Sequence, residues 1–446
     1  MKYEFPKGLY VDVRIEHVFS TNIAYLMRDM QECREEKYSA AFVRVYDGAM
    51  WYYASTTDLG NIQAEINTLA KLATPHNDIT STEIVKRLRG HKDVVMTFIG
   101  KEASNHSLDE KIELLNGAMP HLESNEYIKL WRARYLDTYT IKEFYNSLEA
   151  DLKWDYQKIG FVTSFDMIDG ENKAEGFYQL PGTTFADLFA YEADLKGEIE
   201  KAQEFLLNSK PVVAGKYSVI FAPKVTGVFV HECFGHKSES DFMMGDEATR
   251  KEWAIGKQVG PKGLNICESG NIVGTGFTPY DDEGNKATMT YLVKDGVLTG
   301  RLHSAASAAD LGEEATGNAR AMSFEVEPIV RMTTTYIDKG EMTYDELIAS
   351  TDEGILVTDY MHGQGMSTFT IAPSCAYYIK DGKIQHPVRV SVVSGNVFEA
   401  LGNIDGLTDT VDMKWGVGGG CGKMGQFPLP TGMGGPYMRV KNMQVS

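Results

Sequence analysis

Several features of secreted and membrane-spanning proteins are missing from this 446-residue chain. No run of 18 apolar residues occurs, and the first residues do not combine an apolar core with a small-residue cleavage site. Membrane-spanning helices and secretory leaders require those features. We therefore expect a protein that is neither secreted nor inserted in a membrane.

Cysteine is scarce, and none of the five cysteines has a close neighbour in sequence with which to pair. An odd number of widely separated cysteines fits a reducing compartment better than a disulfide framework. The predicted location is therefore the cytoplasm. Such cysteines are often small buried hydrophobic residues, which is what we expect of Cys33, Cys233, Cys267 and Cys375.

Positive charge is also in short supply, because 44 basic residues stand against 62 acidic ones and the net charge is −18. Surfaces that bind nucleic acids need clustered lysine and arginine. The balance argues against direct contact with nucleic acid and is otherwise typical of a well-solvated surface. The chain is long enough for two or three domains.

The hydrophobic pattern predicts an α+β protein with a small N-terminal α/β region and a large β-rich C-terminal domain. Three parts are expected: an N-terminal α+β domain over residues 1–100, a central α+β region over 101–210, and a C-terminal domain over 211–446. The last would contain an extensive antiparallel sheet or half-barrel. The individual predictions are a helix over 20–36, a hairpin over 41–54, a helix capped near Asp58, a helix that starts at a capping box on Ser107 and ends at Gly117 or Pro120, a hairpin over 161–178, a helix over 186–206, hairpin turns at Asp295 and Asp381, and a helix over 343–350.

Residues 231–236, His-Glu-Cys-Phe-Gly-His, carry the clearest chemical signal. Imidazole is a common metal ligand, and a carboxylate beside a metal site can act as a general base. The spacing is one residue longer than the zincin motif His-Glu-x-x-His. On a regular α-helix, residues five apart lie about 140° apart around the axis. His231 and His236 can share a metal only if the turn widens into a π-bulge or the helix ends near Gly235.

Catalytic zinc usually has three protein ligands, so this motif needs a third. Two ordinary surface histidines remain the alternative interpretation. The glycine-rich segment 415–426 near the C-terminus offers Cys421, whose thiolate would be a good zinc ligand. The same segment fails as a phosphate-binding loop, because Val417 and Met424 stand where that motif needs glycine and serine or threonine.

Together these segments resemble the TldD/PmbA family of metallopeptidases, once named modulator of DNA gyrase, in its metal-bearing TldD branch. Besides 231–236 and 421–426, the resemblance includes residues 281–284, 316–320, 331–336 and 434–436. It implies one Zn²⁺ held by His231, His236 and Cys421. It also implies peptide-bond hydrolysis in small or unfolded polypeptides, with Glu232 as general base on zinc-bound water.

The resemblance further implies a homodimer, or a heterodimer with a metal-free paralogue of the PmbA/TldE type. Substrate contacts are expected at His362, Gly420 and Lys423, although Lys423 could instead orient the tail loop. Loop histidines are mostly exposed, so surface positions are predicted for His303 and also for His362. Cys233 is expected to pack away from the metal.

Two other functions remain open. A metal-independent hydrolase would use Cys421 with one of the histidines, but it leaves Glu232 without a role. A non-catalytic regulatory or partner-binding subunit would not need three intact metal positions.

Overall fold

The computed structural model describes residues 2–446, and its N-terminal part is built on one seven-stranded sheet. The strand order is β3-β2-β1-β5-β6-β4, and β7 also pairs with β6. All pairs are antiparallel except β4 with β6. The strands are β1 (Tyr10–Leu26), β2 (Asp29–Tyr46), β3 (Trp51–Thr56), β4 (Lys92–Val95), β5 (Ile128–Asn146), β6 (Asp151–Asp169) and β7 (Asn172–Gly182).

Three α-helices cover the apolar face of this sheet. They are α1 (Ile62–Ala70), α2 (Leu108–Glu123) and α3 (Glu192–Asn208), with 3₁₀ turns at Leu59–Asn61, Ile79–Ser81, Val85–Arg87, Ala103–Asn105 and Phe185–Phe189. The capping box at Ser107 is confirmed. The predicted end of α2 at Gly117 or Pro120 is wrong, because the buried face of the helix continues to Leu122 and outweighs the one hydrogen bond that proline removes.

The helix predicted over residues 20–36 is also wrong, because these residues form the β1–β2 hairpin. Ile23 and Tyr25 alternate into the core against α2, as side chains of a strand do. The other edge of β1 pairs with β5, more than 100 residues further along the chain. Tertiary pairing thus overrides the local pattern. The hairpins predicted over 41–54 and 161–178 are confirmed.

Among the residues that the structure describes, the C-terminal part contains 18 strands, most of them short. They are β8 (Lys210–Pro211), β9 (Gly215–Phe221), β10 (Ile266–Ser269), β11 (Met289–Lys294), β12 (Val297–Leu298), β13 (Ala319–Arg320), β14 (Ile329–Val330), β15 (Thr334–Ile337), β16 (Glu353–Gly365), β17 (Thr368–Lys380), β18 (Lys383–Arg389), β19 (Val393–Asn396), β20 (Ile404–Leu407), β21 (Asp412–Trp415), β22 (Cys421–Lys423), β23 (Gln426–Leu429), β24 (Gly432–Gly435) and β25 (Met438–Val445). The helices are α4 (Pro223–Val230), α5 (His236–Ser238), α6 (Glu247–Glu252), α7 (Ala305–Leu311), α8 (Tyr344–Ala349) and α9 (Val397–Gly402), with a 3₁₀ turn at Ser240–Met243.

Two sheets enclose the helix that leads to the motif. An eight-stranded sheet has the order β16-β9-β25-β19-β17-β18-β8, with β20 beside β25, and a six-stranded sheet has the order β12-β11-β10-β15-β24-β21. Helix α4 contacts strands of both sheets and is buried on all sides. The α+β class, the β-rich C-terminal region and the hairpin turns at Asp295 and Asp381 are as predicted.

The three-part division of the chain remains a prediction. Strands from both sides of residue 100 share one sheet, since β1 pairs with β5.

Across residues 2–446, we find no helix with both the length and the apolarity needed to cross a bilayer.

Buried ion pairs join the N-terminal sheet to the C-terminal part. Arg44 on β2 binds Asp12 through Nε and Nη2, and its Nη1 donates to Glu283 at 3.1 Å. All three side chains are at most 5% exposed. Nearby, Lys142 on β5 pairs with the buried Asp282. Through Asp282 and Glu283, the acidic segment 281–284 therefore anchors the two parts to each other.

Replacing Arg44 should destabilise the fold strongly, because it leaves two carboxylates buried without their partner. We expect Arg44→Met to lower the free energy of unfolding by about 3–5 kcal/mol in chemical denaturation. Arg34→Met is the matched control on the same strand, since Arg34 is 59% exposed and pairs only with surface glutamates. Arg34→Met should lower the free energy of unfolding by less than about 1 kcal/mol. Equal losses for the two variants would contradict a structural role for the buried pair.

Candidate metal centre

A widened helical turn brings the two histidines of the motif together. Pro223 starts α4 at its first turn, and the helix runs without interruption into a π-helical turn over His231–Gly235. The backbone N–H of His236 bonds to the carbonyl of His231, five residues back. A π turn accommodates one extra residue. The prediction of a widened turn is confirmed, and the helix continues through α5 rather than ending at Gly235.

Close packing fixes this turn against the neighbouring strands. An alanine Cβ at Gly235 would lie 2.0 Å from Met332 Sδ, so only glycine allows the helix this close to the 331–336 segment. Cys233 points into the C-terminal core and is buried there, which confirms its predicted packing role. These two contacts fix the rotation of residues 231–236 about the helix axis.

Three potential ligands converge where the turn meets the β22–β23 hairpin. One donor atom from each of His231, His236 and Cys421 lies within 4.8 Å of the others. Cys421 Sγ is 3.6 Å from His236 Nε2. In a tetrahedral zinc site with bonds of about 2.3 Å to sulfur and 2.0 Å to nitrogen, these atoms are about 3.5 Å apart. His231 Nδ1 is buried and has no hydrogen-bond partner among residues 2–446. The donor set and its spacing therefore fit zinc.

The electrostatics of the cluster favour a thiolate. Burial alone would raise the pKa of Cys421, but hydrogen bonds and positive charge from His231 and His236 outweigh it and lower that pKa to about 5. Burial alone would lower the pKa of His236, yet Cys421 and Glu239 raise it to about 10. Zinc binds the thiolate and the neutral form of imidazole, so a bound cation would displace the protons that the two rings hold.

Glu232 lies beside the cluster and is accessible from solvent. Its side chain is 27% exposed, and Oε2 is 4.0 Å from His236 Nε2. Strand β16 passes next to it, because a Cβ at Gly363 would lie 3.9 Å from Glu232 Cγ. The carboxylate is therefore close to the ligand atoms without being locked into an ion pair. That position suits a group that exchanges protons with a substrate.

The structure adds Glu239, which the sequence analysis did not name, and it favours the orienting alternative for Lys423. Glu239 Oε2 lies 2.9 Å from His236 Nδ1, and this glutamate is fully buried. Lys423 Nζ lies 3.3 Å from the same Glu239 oxygen and donates to Asp241 at 2.6 Å and to the carbonyl of Val330 at 2.8 Å. A carboxylate on the second ring nitrogen of a metal-binding histidine fixes its orientation and basicity. The only signal in the sequence is an acidic residue three positions after His236.

Arg331 holds the hairpin that presents Cys421. This fully buried side chain donates to the carbonyl of Cys421 at 2.6 Å and to that of Gln426 at 3.3 Å. Lys423, on the same hairpin, ties it to Glu239 and Asp241 of the motif segment. The third candidate ligand is thus connected to the first two by buried polar contacts.

The glycine-rich loop before Cys421 rests on the N-terminal sheet. Val417 lies over Gly160 of β6, where an alanine Cβ would be only 2.1 Å from Val417 Cγ1. The backbone N–H of Val417 donates to Gln179 Oε1 at 3.2 Å. A Cβ at Gly418 would lie 3.3 Å from Leu136 Cδ2. The N-terminal sheet therefore helps to set the position of the loop that carries a ligand.

The remaining sequence candidates fall in different environments. His362 is exposed on β16, next to Gly363, and Gly420 is exposed immediately before Cys421. The surface position predicted for His303 is wrong, because this ring is buried and lies 2.8 Å from both Ser240 Oγ and Glu313 Oε2.

Two of the other three cysteines are buried as expected. Cys267 and Cys375 lie inside the protein. Cys33 is exposed on β2, which corrects its predicted burial, because the hairpin tip that carries it extends beyond the core.

Comparison with family models matches both ends of the chain. The model described as the PmbA/TldA metallopeptidase C-terminal domain matches residues 214–446, and the model for domain 1 matches residues 11–73. A metalloprotease of Synechocystis sp. is 31% identical over 449 aligned residues, which cover 98% of this chain and 94% of the relative. A protein of Saccharolobus solfataricus named as a zinc metalloprotease TldD homolog is 28% identical over 78% of each chain.

Solved structures share the fold. A Thermotoga maritima protein named as a modulator of a DNA gyrase has a TM-score of 0.80 at 19% identity, covering 98% of this chain and 96% of its own. TldE from Thermococcus kodakarensis has a TM-score of 0.78 at 15% identity, with the same coverage. At these identities the likeness concerns the fold.

Neutralising Glu239 should weaken the metal site while leaving all three ligands in place. We expect Glu239→Gln to lower zinc affinity about 10- to 100-fold, because His236 loses the carboxylate that orients its ring. Competition with a chelator of known affinity measures this change. Glu247→Gln, on the exposed face of α6, is the matched control and should bind zinc as the unaltered chain does. Unchanged affinity in Glu239→Gln would exclude this orienting role.

A methyl group added at Gly160, on the N-terminal sheet, should disturb the candidate metal site in the C-terminal part. We expect Gly160→Ala to cost about 1–3 kcal/mol of stability by overpacking. It should also lower zinc affinity, because Val417 must move and Cys421 follows in the same loop. Val417→Ala in the Gly160→Ala background removes the two closest atoms and should restore part of both losses.

Gly197 of α3 provides the control for this substitution, since nothing lies within 4 Å of a Cβ added there. Gly197→Ala should leave zinc affinity unchanged and raise stability by up to about 1 kcal/mol. If Gly160→Ala loses stability but keeps its full zinc affinity, the sheet does not position the ligand loop.

Proposed function

Because the chain belongs to the PmbA/TldD family of metallopeptidases, we propose that it is a zinc-dependent peptidase whose general base is Glu232. The observation that carries the proposal is the convergence of His231, His236 and Cys421 beside that glutamate. One sulfur and two imidazole donors suit zinc among the common metals. A relative from Saccharolobus solfataricus is named as a zinc metalloprotease, which agrees with this choice.

Each residue around the candidate zinc site has its own role in the proposed hydrolysis. A bound zinc ion supplies Lewis acidity, which polarises a carbonyl group and acidifies water. Glu232 accepts a proton from the attacking water on its carboxylate and then delivers it to the leaving amine. Glu239 accepts a hydrogen bond from His236 Nδ1, which would leave Nε2 free to hold the metal. Arg331 and Lys423 keep the Cys421 hairpin in register with the π turn.

We propose small or unfolded polypeptides as substrates, by analogy with the family. His362 and Gly420 are the proposed substrate contacts, since both are exposed near Glu232 or Cys421. Lys423 is better explained as an orienting residue, because its ammonium group is buried and already binds Glu239, Asp241 and the Val330 carbonyl.

The working assembly is proposed to be a dimer, either of this chain or with a metal-free paralogue. The shared fold with TldE supports pairing between similar surfaces. A cytoplasmic location is proposed because all five cysteines are free throughout the described chain.

One alternative has structural support. Cys421 Sγ and His236 Nε2, 3.6 Å apart, also have the arrangement of a cysteine nucleophile and its base. That function would not need Glu232 or a metal. Chelation and thiol modification therefore separate the two mechanisms only when zinc content is measured in the same samples.

The decisive variant is Glu232→Gln. We expect it to keep about one zinc per chain and to lose peptide cleavage by about 10²-fold or more, since it can no longer accept a proton. Elemental analysis and hydrolysis of an unstructured fluorogenic peptide give the two values. Glu247→Gln again serves as the control, with both values unchanged. Full cleavage by Glu232→Gln would contradict its assignment as general base.

Removing the metal should abolish cleavage, and adding zinc back should restore it. A cysteine hydrolase would keep its activity after chelation and lose it on thiol modification. A non-catalytic subunit would show no cleavage in either state. The three functions therefore predict different combinations of cleavage after chelation and after thiol modification.

A further inference from the structure

A carboxylate is buried behind the short segment that contacts both halves of the candidate metal centre. Glu268, on β10, is 1% exposed. Its Oε1 accepts hydrogen bonds from the backbone N–H and the hydroxyl of Thr333, and its Oε2 accepts one from the hydroxyl of Thr335. Asn318 Nδ2 also donates to Oε1, at 3.3 Å. Four donors thus hold a carboxylate that no step of the proposed hydrolysis uses.

The same residues fix a short stretch of backbone from both ends. The N–H of Arg331 donates to the carbonyl of Asn318 at 2.8 Å. In return, Asn318 Nδ2 donates to the carbonyl of Arg331 at 3.1 Å. Two positions later, the N–H of Thr333 is held by Glu268. Met332 therefore lies between two buried anchors.

Arg331 and Met332 each contact one of the elements that carry candidate ligands. Arg331 donates to the carbonyl of Cys421 at 2.6 Å, on the β22–β23 hairpin. Met332 packs against the π turn, where a Cβ at Gly235 would lie 2.0 Å from its Sδ. One dipeptide thus separates the thiol from the two imidazoles. If it moved, the distance of 3.6 Å between Cys421 Sγ and His236 Nε2 would change.

We propose that Glu268 is a positioning residue of the metal site, which sets the separation of Cys421 from the two histidines through Arg331 and Met332. The proposal rests on the proposed zinc site but does not require peptide cleavage. A functional site must hold its groups within about 0.5 Å of the productive geometry. An ionised acceptor suits this task, because its hydrogen bonds are about twice as strong as those of a neutral one.

Replacing the carboxylate by an amide should loosen the site. A glutamine has one acceptor oxygen, and its NH₂ group would face a donor that the second carboxylate oxygen now satisfies. We expect Glu268→Gln to lower zinc affinity about 10- to 100-fold, as the loss of a supporting contact around a metal site does. Competition with a chelator of known affinity measures the change.

Asp155→Asn is the matched control for the loss of a buried carboxylate. Asp155, on β6, is 0% exposed and accepts hydrogen bonds from the backbone N–H groups of Thr97 and Phe98 and from the hydroxyl of Tyr139. This variant should lose stability but bind zinc as the unaltered chain does. Equal losses of zinc affinity in Asp155→Asn and Glu268→Gln would mean that Glu268 acts only through overall stability, which overturns the proposal.

A double-variant cycle tests the route through Arg331. Arg331→Lys keeps the positive charge but loses the planar fork that donates to two carbonyl groups. If the two single variants each lowered zinc affinity about tenfold, independent effects would multiply to about 100-fold in the double variant. We expect a loss well below the product, because both changes release the same hairpin. A fully multiplicative loss would contradict this route.

Thr333→Val provides a milder change that leaves the carboxylate in place. It removes one hydroxyl donor to Glu268, and we expect zinc affinity to fall about 3- to 10-fold. Thr333→Ser keeps the hydroxyl and should keep most of the affinity. Equal affinities of Thr333→Val and Thr333→Ser would count against the proposal, whatever the yield of folded Glu268→Gln.

Crystal structures of the metal-free chains separate this proposal from the zinc peptidase function. In Glu268→Gln, the Cys421 Sγ–His236 Nε2 distance should lengthen from 3.6 Å by at least about 0.5 Å, whereas Asp155→Asn should keep it. This distance can be measured whether or not the chain binds zinc or cleaves peptides. A displacement in a chain that binds no zinc would contradict the zinc function alone. An unchanged distance in both Glu268→Gln and Thr333→Val overturns the positioning role.

Discussion

The candidate metal centre depends on one extra residue in one helical turn. Because they are five positions apart, His231 and His236 could not face one ion from a regular helix. The π turn solves this, and the packing of Gly235 on Met332 shows that the widened turn is held by its neighbours. Helix α4, which leads directly into the π turn, is held rigidly because two sheets enclose it. The site is therefore built on secondary structure rather than on a free loop.

The third candidate ligand, Cys421, comes from the C-terminal end of the chain, so its position depends on contacts between distant segments. Lys423 and Arg331 connect the Cys421 hairpin to the motif through buried hydrogen bonds. Val417 adds a contact with the N-terminal sheet, which Arg44 and its carboxylate partners attach to the C-terminal part. The N-terminal part thus helps to position a candidate ligand.

The sequence allowed the local part of this site to be predicted. Residues 231–236 contain the ligand types and the irregular spacing, and that spacing required either a π turn or a helix end. Cys421 was found through its glycine-rich surroundings and the family resemblance. Glu239 and Lys423 could not be paired from the sequence, because their contact joins segments about 180 residues apart. The helix predicted over 20–36 failed for a similar reason, since pairing with β5 decides that segment.

The central claim is that two histidines and one cysteine of this chain bind a single zinc ion. X-ray absorption at the zinc edge of the purified full chain tests it directly. The account predicts one sulfur at about 2.3 Å and two imidazole nitrogens at about 2.0 Å, with the sulfur contribution lost in Cys421→Ser. A zinc environment without sulfur, or one that keeps its sulfur in Cys421→Ser, would contradict the account.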